Sequence, residues 1–177
     1  MKKTLLVLTA LCFFIGAQAQ KTFKLSSPDG KLTTTISVGN ELTYDITLNG
    51  QQVLAPSALS MKLTTGEVWG EKPRLASNKK AVINRSISSP FYRETSLQEQ
   101  ANVLTLNFKG NWSVEFRAYN DGIAYRFAST KKGTYNIESE GVNYVFPQDF
   151  TATVPYVNAG KDGDWASQFA NSFENIY

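Results

Sequence analysis

Trp112-Ser-Val-Glu-Phe-Arg-Ala-Tyr-Asn-Asp-Gly-Ile-Ala-Tyr-Arg-Phe127 reads as two alternating strands joined by a turn. Trp112, Val114, Phe116 and Ala118 share one face, while Ser113, Glu115, Arg117 and Tyr119 share the other, because side chains alternate along a strand. Ile123, Tyr125 and Phe127 resume the apolar face after Asn120-Asp121-Gly122. These three residue types tolerate the positive φ of tight hairpin turns. A plain three-residue loop would shift the register by one and turn one apolar face to water. An Asn120-Asp121 loop keeps both faces together and sets Glu115 opposite Arg126, a favourable cross-strand pair.

The same pattern extends outward from this hairpin. Leu32, Thr34, Ile36 and Val38 form one face, and Leu42, Tyr44, Ile46 and Leu48 another. Between them lies Gly39-Asn40; after them comes Asn49-Gly50, a strong hairpin signal. Gln52 to Leu54 reads as the return strand. Pro56-Ser57 marks a loop before Leu59, Met61 and Leu63. Gly66 to Ser77 is irregular, Ala81 to Ile87 alternates, and Tyr92 to Ser96 reads as an extended polar strand. Val103 to Phe108 is a further strand, with short candidates at Tyr135 to Ile137 and Asn143 to Phe146. Short strands at this spacing predict an all-β fold, an antiparallel β-sandwich. One segment departs from the pattern. Trp165, Phe169 and Phe173 recur every four positions after Asp164, which predicts a short C-terminal helix or a loop that orders against a partner.

Residues 1–19 read as a secretory signal: Lys2 and Lys3, an apolar core from Leu5 to Ile15, and the small-x-small site Ala17-Gln-Ala19. The apolar run is too short for a spanning helix, so no stable membrane anchor is expected. Cys12 would leave with the signal. Removing 19 of the 177 residues leaves 158, with no cysteine or histidine, and the loss of Lys2 and Lys3 takes the formal charge from +3 to +1. Such a chain is long enough for one domain, residues 20–177, held by its core and not by disulfides. Its near-neutral charge gives no case for nucleic acid. The expected location is the periplasm, after export through the inner membrane.

Lack of histidine excludes Ser-His-Asp and Cys-His nucleophiles and the usual His/Cys zinc sets. Carboxylate chemistry and carbohydrate contact remain. Glycosidases need two carboxyl groups roughly 5–10 Å apart. Glu67, Glu71, Glu94, Asp149 and Glu174 are available, but spacing alone pairs none of them, and no catalytic residue is assigned. Asp162-Gly-Asp164 lacks the remaining ligands of a calcium loop and reads as a polar turn. Of the three tryptophans, Trp112 is in phase with the core face. Trp69, in a Gly-flanked segment, is the more plausible exposed ring for a sugar to stack on. Trp165 follows an acidic turn and is expected to face a partner domain; it is the second candidate for substrate contact.

The Phe116 to Phe127 run resembles the hairpin in the N-terminal β-domain of glycoside hydrolase family 97, a bacterial α-glucosidase and α-galactosidase family. Ser27-Pro-Asp-Gly-Lys-Leu32, Pro56-Ser-Ala-Leu-Ser-Met61, Gly66-Glu-Val-Trp-Gly70 and Ser89-Pro-Phe-Tyr-Arg93 are similar to further stretches of that domain, in the same order. The resemblance implies a supersandwich-like β-domain that packs on a catalytic (β/α)8 barrel, contributes to substrate binding and supplies one glutamate to a calcium ion. Phe173-Glu-Asn-Ile-Tyr177 resembles the calcium-contacting region, so Glu174 takes that role by resemblance. The implied partners are the barrel of the same polypeptide and an α-linked oligosaccharide. The chain reaches only Tyr177, so the expectation is a domain incomplete at its C-terminus, truncated before the barrel and inactive alone. A stand-alone carbohydrate-binding or protein-interaction module is the second reading.

Overall fold

The computed structural model describes residues 20–88, 95–157 and 172–176, and among them there is no helix. Two antiparallel sheets face each other. The first carries β1 (Lys21–Ser26), β2 (Leu32–Val38), β3 (Leu42–Leu48), β4 (Gln51–Leu63) and β10 (Ile137–Val142) in that spatial order, with β5 (Val68–Trp69) also paired to β4. The second is built of β6 (Leu75–Ser88), β7 (Ser96–Phe108), β8 (Trp112–Ala118) and β9 (Ile123–Ser129). β11 (Thr153–Val157) and β12 (Ser172–Ile176) form a separate two-stranded ribbon.

The alternation read from the sequence is the alternation of burial. Leu32, Thr34, Ile36 and Val38 point inward from β2, and Trp112, Val114, Phe116 and Ala118 point inward from β8. Phe116, Ile36, Leu42, Leu59, Leu104 and Leu106 are fully buried between the sheets. Each such side chain contributes about 1.5–3 kcal/mol by leaving water.

The β8–β9 register is the one expected: Glu115 stands opposite Arg126, and Asn120-Asp121 forms the loop. Its turn differs in conformation. Tyr119 N–H donates to the Gly122 carbonyl at 2.8 Å, and none of Asn120, Asp121 and Gly122 is left-handed. Asn120 serves otherwise: its side-chain oxygen accepts the Asp29 N–H at 3.0 Å and ties this turn to the one between β1 and β2. Asn49 and Gly50 do take positive φ, 50° and 82°, as a primed two-residue hairpin turn requires.

Four stretches fold differently from their reading. Pro56-Ser57 is no loop, because β4 runs unbroken from Gln51 to Leu63 and absorbs the proline at an irregularity between the Ile46–Leu54 and Tyr44–Ser57 pairs. Such breaks in a ladder are where a residue without an N–H fits. β6 and β7 are longer than expected; among the described residues Ser96 to Ala101 of β7 pair only with β6, and Val82 on the edge strand β6 is 74% exposed. β10 lies between the two short candidates, at Ile137–Val142. Phe173 belongs to strand β12 and not to a helix. Its expected helical partners Trp165 and Phe169, like the signal segment and Tyr92, lie outside the described residues.

Candidate functional site

At one end of the sandwich, β5 and β8 bring Trp69 and Trp112 face to face, with ring centroids 5.7 Å apart and planes 2° from parallel. Phe108 also stacks on Trp112, with ring centroids 4.1 Å apart. Trp69 is only 4% exposed, so the expectation of an open ring is corrected. Its apolar faces are spent on Trp112, Phe127 and Tyr135, and its indole N–H donates to Glu67 Oε1 at 2.9 Å. Glu67 also accepts from Lys131 Nζ at 3.0 Å. The hydrogen bonds from Lys131 and then Trp69 hold its carboxyl below the usual range. A carboxylate so held stays ionised and cannot act as a general acid near neutrality.

The outer face of the second sheet carries a charged network. Arg85 and Glu99 are directly opposite each other on β6 and β7, and Arg85 Nε donates to Glu99 Oε2 at 2.7 Å. Glu99 Oε1 accepts from Arg117 at 2.8 Å and from the Tyr119 hydroxyl at 2.9 Å. Arg117 Nε in turn donates to Glu115, which also pairs with Arg126 at 3.1 Å. The Arg85 and Tyr119 hydrogen bonds hold the Glu99 carboxyl low. Each acid here is matched by a cation, an arrangement that ties β7 to β8 across the outer face. Sequence reading found the Glu115–Arg126 pair and missed Glu99, which becomes legible only once β7 is known to begin at Ser96.

The third feature is an open edge. β9 pairs with β8 on one side and, among the described residues, with no strand on the other. Beneath this edge a cleft of roughly 500 Å³ is lined by Ile46, Val53 and Leu54 of the first sheet, Ile123 and Tyr125 of β9, and Tyr144 and Phe146. Tyr144 is 63% and Phe146 59% exposed, and Phe150 packs edge-on against Phe146 at 6.1 Å. Tyr125 spans the gap by donating its hydroxyl to Glu140 of β10 at 2.9 Å. Burial, and then the bond to that carboxylate, push the Tyr125 hydroxyl up, so it remains a donor at any ordinary pH.

The remaining candidates are scattered. Glu71 sits in an isolated bridge with Glu41, and Asp149 is exposed. Glu174 is on β12, its Cα paired with that of Pro155. Glu94, Asp162, Asp164 and Trp165 lie outside the described residues. Among the described residues no three Asp, Glu, His or Cys side chains converge as a metal would need.

Comparison with known proteins places this fold. The family model for the glycosyl-hydrolase 97 N-terminal domain matches residues 25–177. A curated retaining alpha-galactosidase of Bacteroides thetaiotaomicron is 55% identical over 176 residues, which is 99% of this chain and 26% of that protein. The chain thus spans about a quarter of that relative's length. Among solved structures, a glycoside hydrolase family 97 enzyme from Pseudoalteromonas sp. strain K8, in complex with acarbose, superposes with a TM-score of 0.65 at 21% identity; 76% of this chain and 22% of that one are covered. A beta-arabinopyranosidase superposes with a TM-score of 0.68 at 22% identity, covering 75% of this chain and 22% of that one. These structures share the fold.

Proposed function

Because this chain belongs to glycoside hydrolase family 97, whose N-terminal domain it carries, we propose that it is the non-catalytic β-sandwich of a secreted α-glycoside hydrolase. On this reading it packs on a catalytic barrel of the same polypeptide and helps to bind an α-linked oligosaccharide. The observation that carries the reading is 55% identity, over nearly the whole chain, to part of a retaining alpha-galactosidase. An α-galactoside is therefore the favoured substrate of the complete protein. The carboxylates of this domain agree with a supporting role. Glu67 and Glu99 have their oxygens taken up by cations and by hydroxyl or indole donors of the domain itself, so both serve to hold its strands together.

Calcium belongs to the proposal in a limited form. The described residues do not make a site by themselves. Glu174 would contribute one oxygen ligand, with the rest supplied by the catalytic part, and Trp165 would face that part and the substrate. Export to the periplasm follows from the Lys2-Lys3, Leu5–Ile15 and Ala17-Gln-Ala19 pattern.

The test is a chimera in which this chain replaces the matching quarter of the Bacteroides relative. Hydrolysis of an aryl α-galactoside within about tenfold of the relative's own rate is expected, while the chain alone shows none. A folded chimera without activity would sink the reading. Glu174→Gln should weaken calcium retention by the chimera, measured by equilibrium dialysis.

A further inference from the structure

The two sheets are out of step, and the mismatch points to a missing strand. β7 lies over β1 and β8 over β2, and Tyr125 and Phe127 of β9 reach Tyr44 on β3 and Trp69 on β5. Among the described residues the second sheet ends at β9, while the first runs on through β4 to β10, which β9 meets only by the long reach of the Tyr125 hydroxyl to Glu140. One more strand beside β9 would stand there.

The β9 edge is built to take it. Tyr119 N–H bonds the Gly122 carbonyl, so the even positions Ala124, Arg126 and Ala128 turn their backbone groups toward β8. The odd positions Ile123, Tyr125, Phe127 and Ser129 therefore aim theirs at the open edge. β9 carries none of the usual protections there: it has no proline, no lysine and no register shift. The cleft beneath it is mostly apolar, and the exposed rings of Tyr144 and Phe146 line it, with Phe150 packed on Phe146. A small sugar would leave the row of backbone donors and acceptors unanswered, whereas a strand satisfies them while its alternate side chains fill the cleft.

We propose that β9 is an acceptor edge for one β-strand, supplied by the part of the polypeptide that the alpha-galactosidase relative has beyond the quarter matched here. This inference rests on the reading above, which supplies the partner. The incoming strand is expected to be amphipathic, with apolar residues toward Tyr144, Phe146 and Val53.

Amide exchange in the chain alone is the first test. The Ile123, Tyr125, Phe127 and Ser129 amides should exchange on the order of 100-fold faster than those of Ala124, Arg126 and Ala128. Equal protection of both sets, at dilution, would mean the edge is already filled and would overturn the proposal. Protection that grows with concentration would assign the edge to a second copy and overturn the choice of partner. In the chimera, the peptide covering 123–129 should lose most of its rapid deuterium uptake. An active chimera with an unchanged 123–129 segment would refute the acceptor edge and leave the proposed function standing. Finally, Tyr144→Glu with Phe146→Glu should lower the chimera's Tm and spare that of the chain. Val82→Glu on the exposed β6 arm should affect neither. An equal fall in both proteins for the Tyr144/Phe146 pair would show that the rim only supports the local fold.

Discussion

Trp69 and Trp112 lie parallel, 5.7 Å apart, and join β5 of one sheet to β8 of the other. Their contact closes one end of the sandwich. Trp69→Ala removes a large buried ring, its stacking on Trp112 and its bond to Glu67. A loss of about 3–5 kcal/mol is expected in chemical denaturation. A change below 1 kcal/mol would mean that the ring is not part of the core.

Thr34 is fully buried on β2, and its hydroxyl has no hydrogen-bond partner among the described residues. Valine has nearly the same shape without the hydroxyl. Thr34→Val should therefore raise stability by about 1–3 kcal/mol, read as a higher midpoint in urea with an unchanged slope. A destabilised variant would reveal a partner for that hydroxyl.

Gly50 and Gly70 both have positive φ, but for different reasons. A Cβ at Gly50 would meet nothing, so Gly50→Ala should cost only the backbone strain, about 1–2 kcal/mol. At Gly70 the added carbon would collide with the Leu59 carbonyl oxygen of β4, and the Gly70 carbonyl accepts the Leu42 N–H at 2.8 Å. Gly70→Ala should therefore cost clearly more than Gly50→Ala. Thermal unfolding of the two variants side by side checks the order.

Glu67 gives the fold an acid limit. Its pKa is lower folded than unfolded, so the unfolded chain binds its proton first as pH falls. The stabilisation it confers is complete above the unfolded value, near 4.3, and is lost as pH drops through the folded value. Glu67→Gln should be less stable than the parent at pH 7, with a gap that narrows as the pH falls below about 4. A gap independent of pH would remove the Lys131 pairing as its cause.

The hairpin from Trp112 to Phe127 was fully legible because strict alternation and an opposed Glu115–Arg126 pair permit only one register. Trp69 was misjudged for a physical reason. Flanking glycines suggest irregular backbone, but they say nothing about a second tryptophan arriving from a strand over forty residues away. The start of β6 was hidden by the irregular stretch around Pro73, and the start of β7 because Ser96 to Gln100 is mostly polar and only half-buried on one face. Such strands are specified by their partner and by cross-strand pairs such as Arg85–Glu99, which the sequence displays only after pairing is known. The open edge was illegible for the same reason, since a strand does not announce which of its sides will lack a neighbour.

The position of β10 also sets an order of events. The second sheet is made from one continuous run, β6 to β9, in which each strand pairs with the next through a local turn. The first sheet is complete only when β10 returns to β4, with Val142 meeting Leu59 after that entire run has intervened. Closing so long a loop is slow and is rewarded late. On a chain emerging from its N-terminus, β1 to β4 must therefore wait with one flank uncovered until residue 142 has arrived. Refolding followed at single residues should show β7 and β8 protected before β4 is protected on its β10 side.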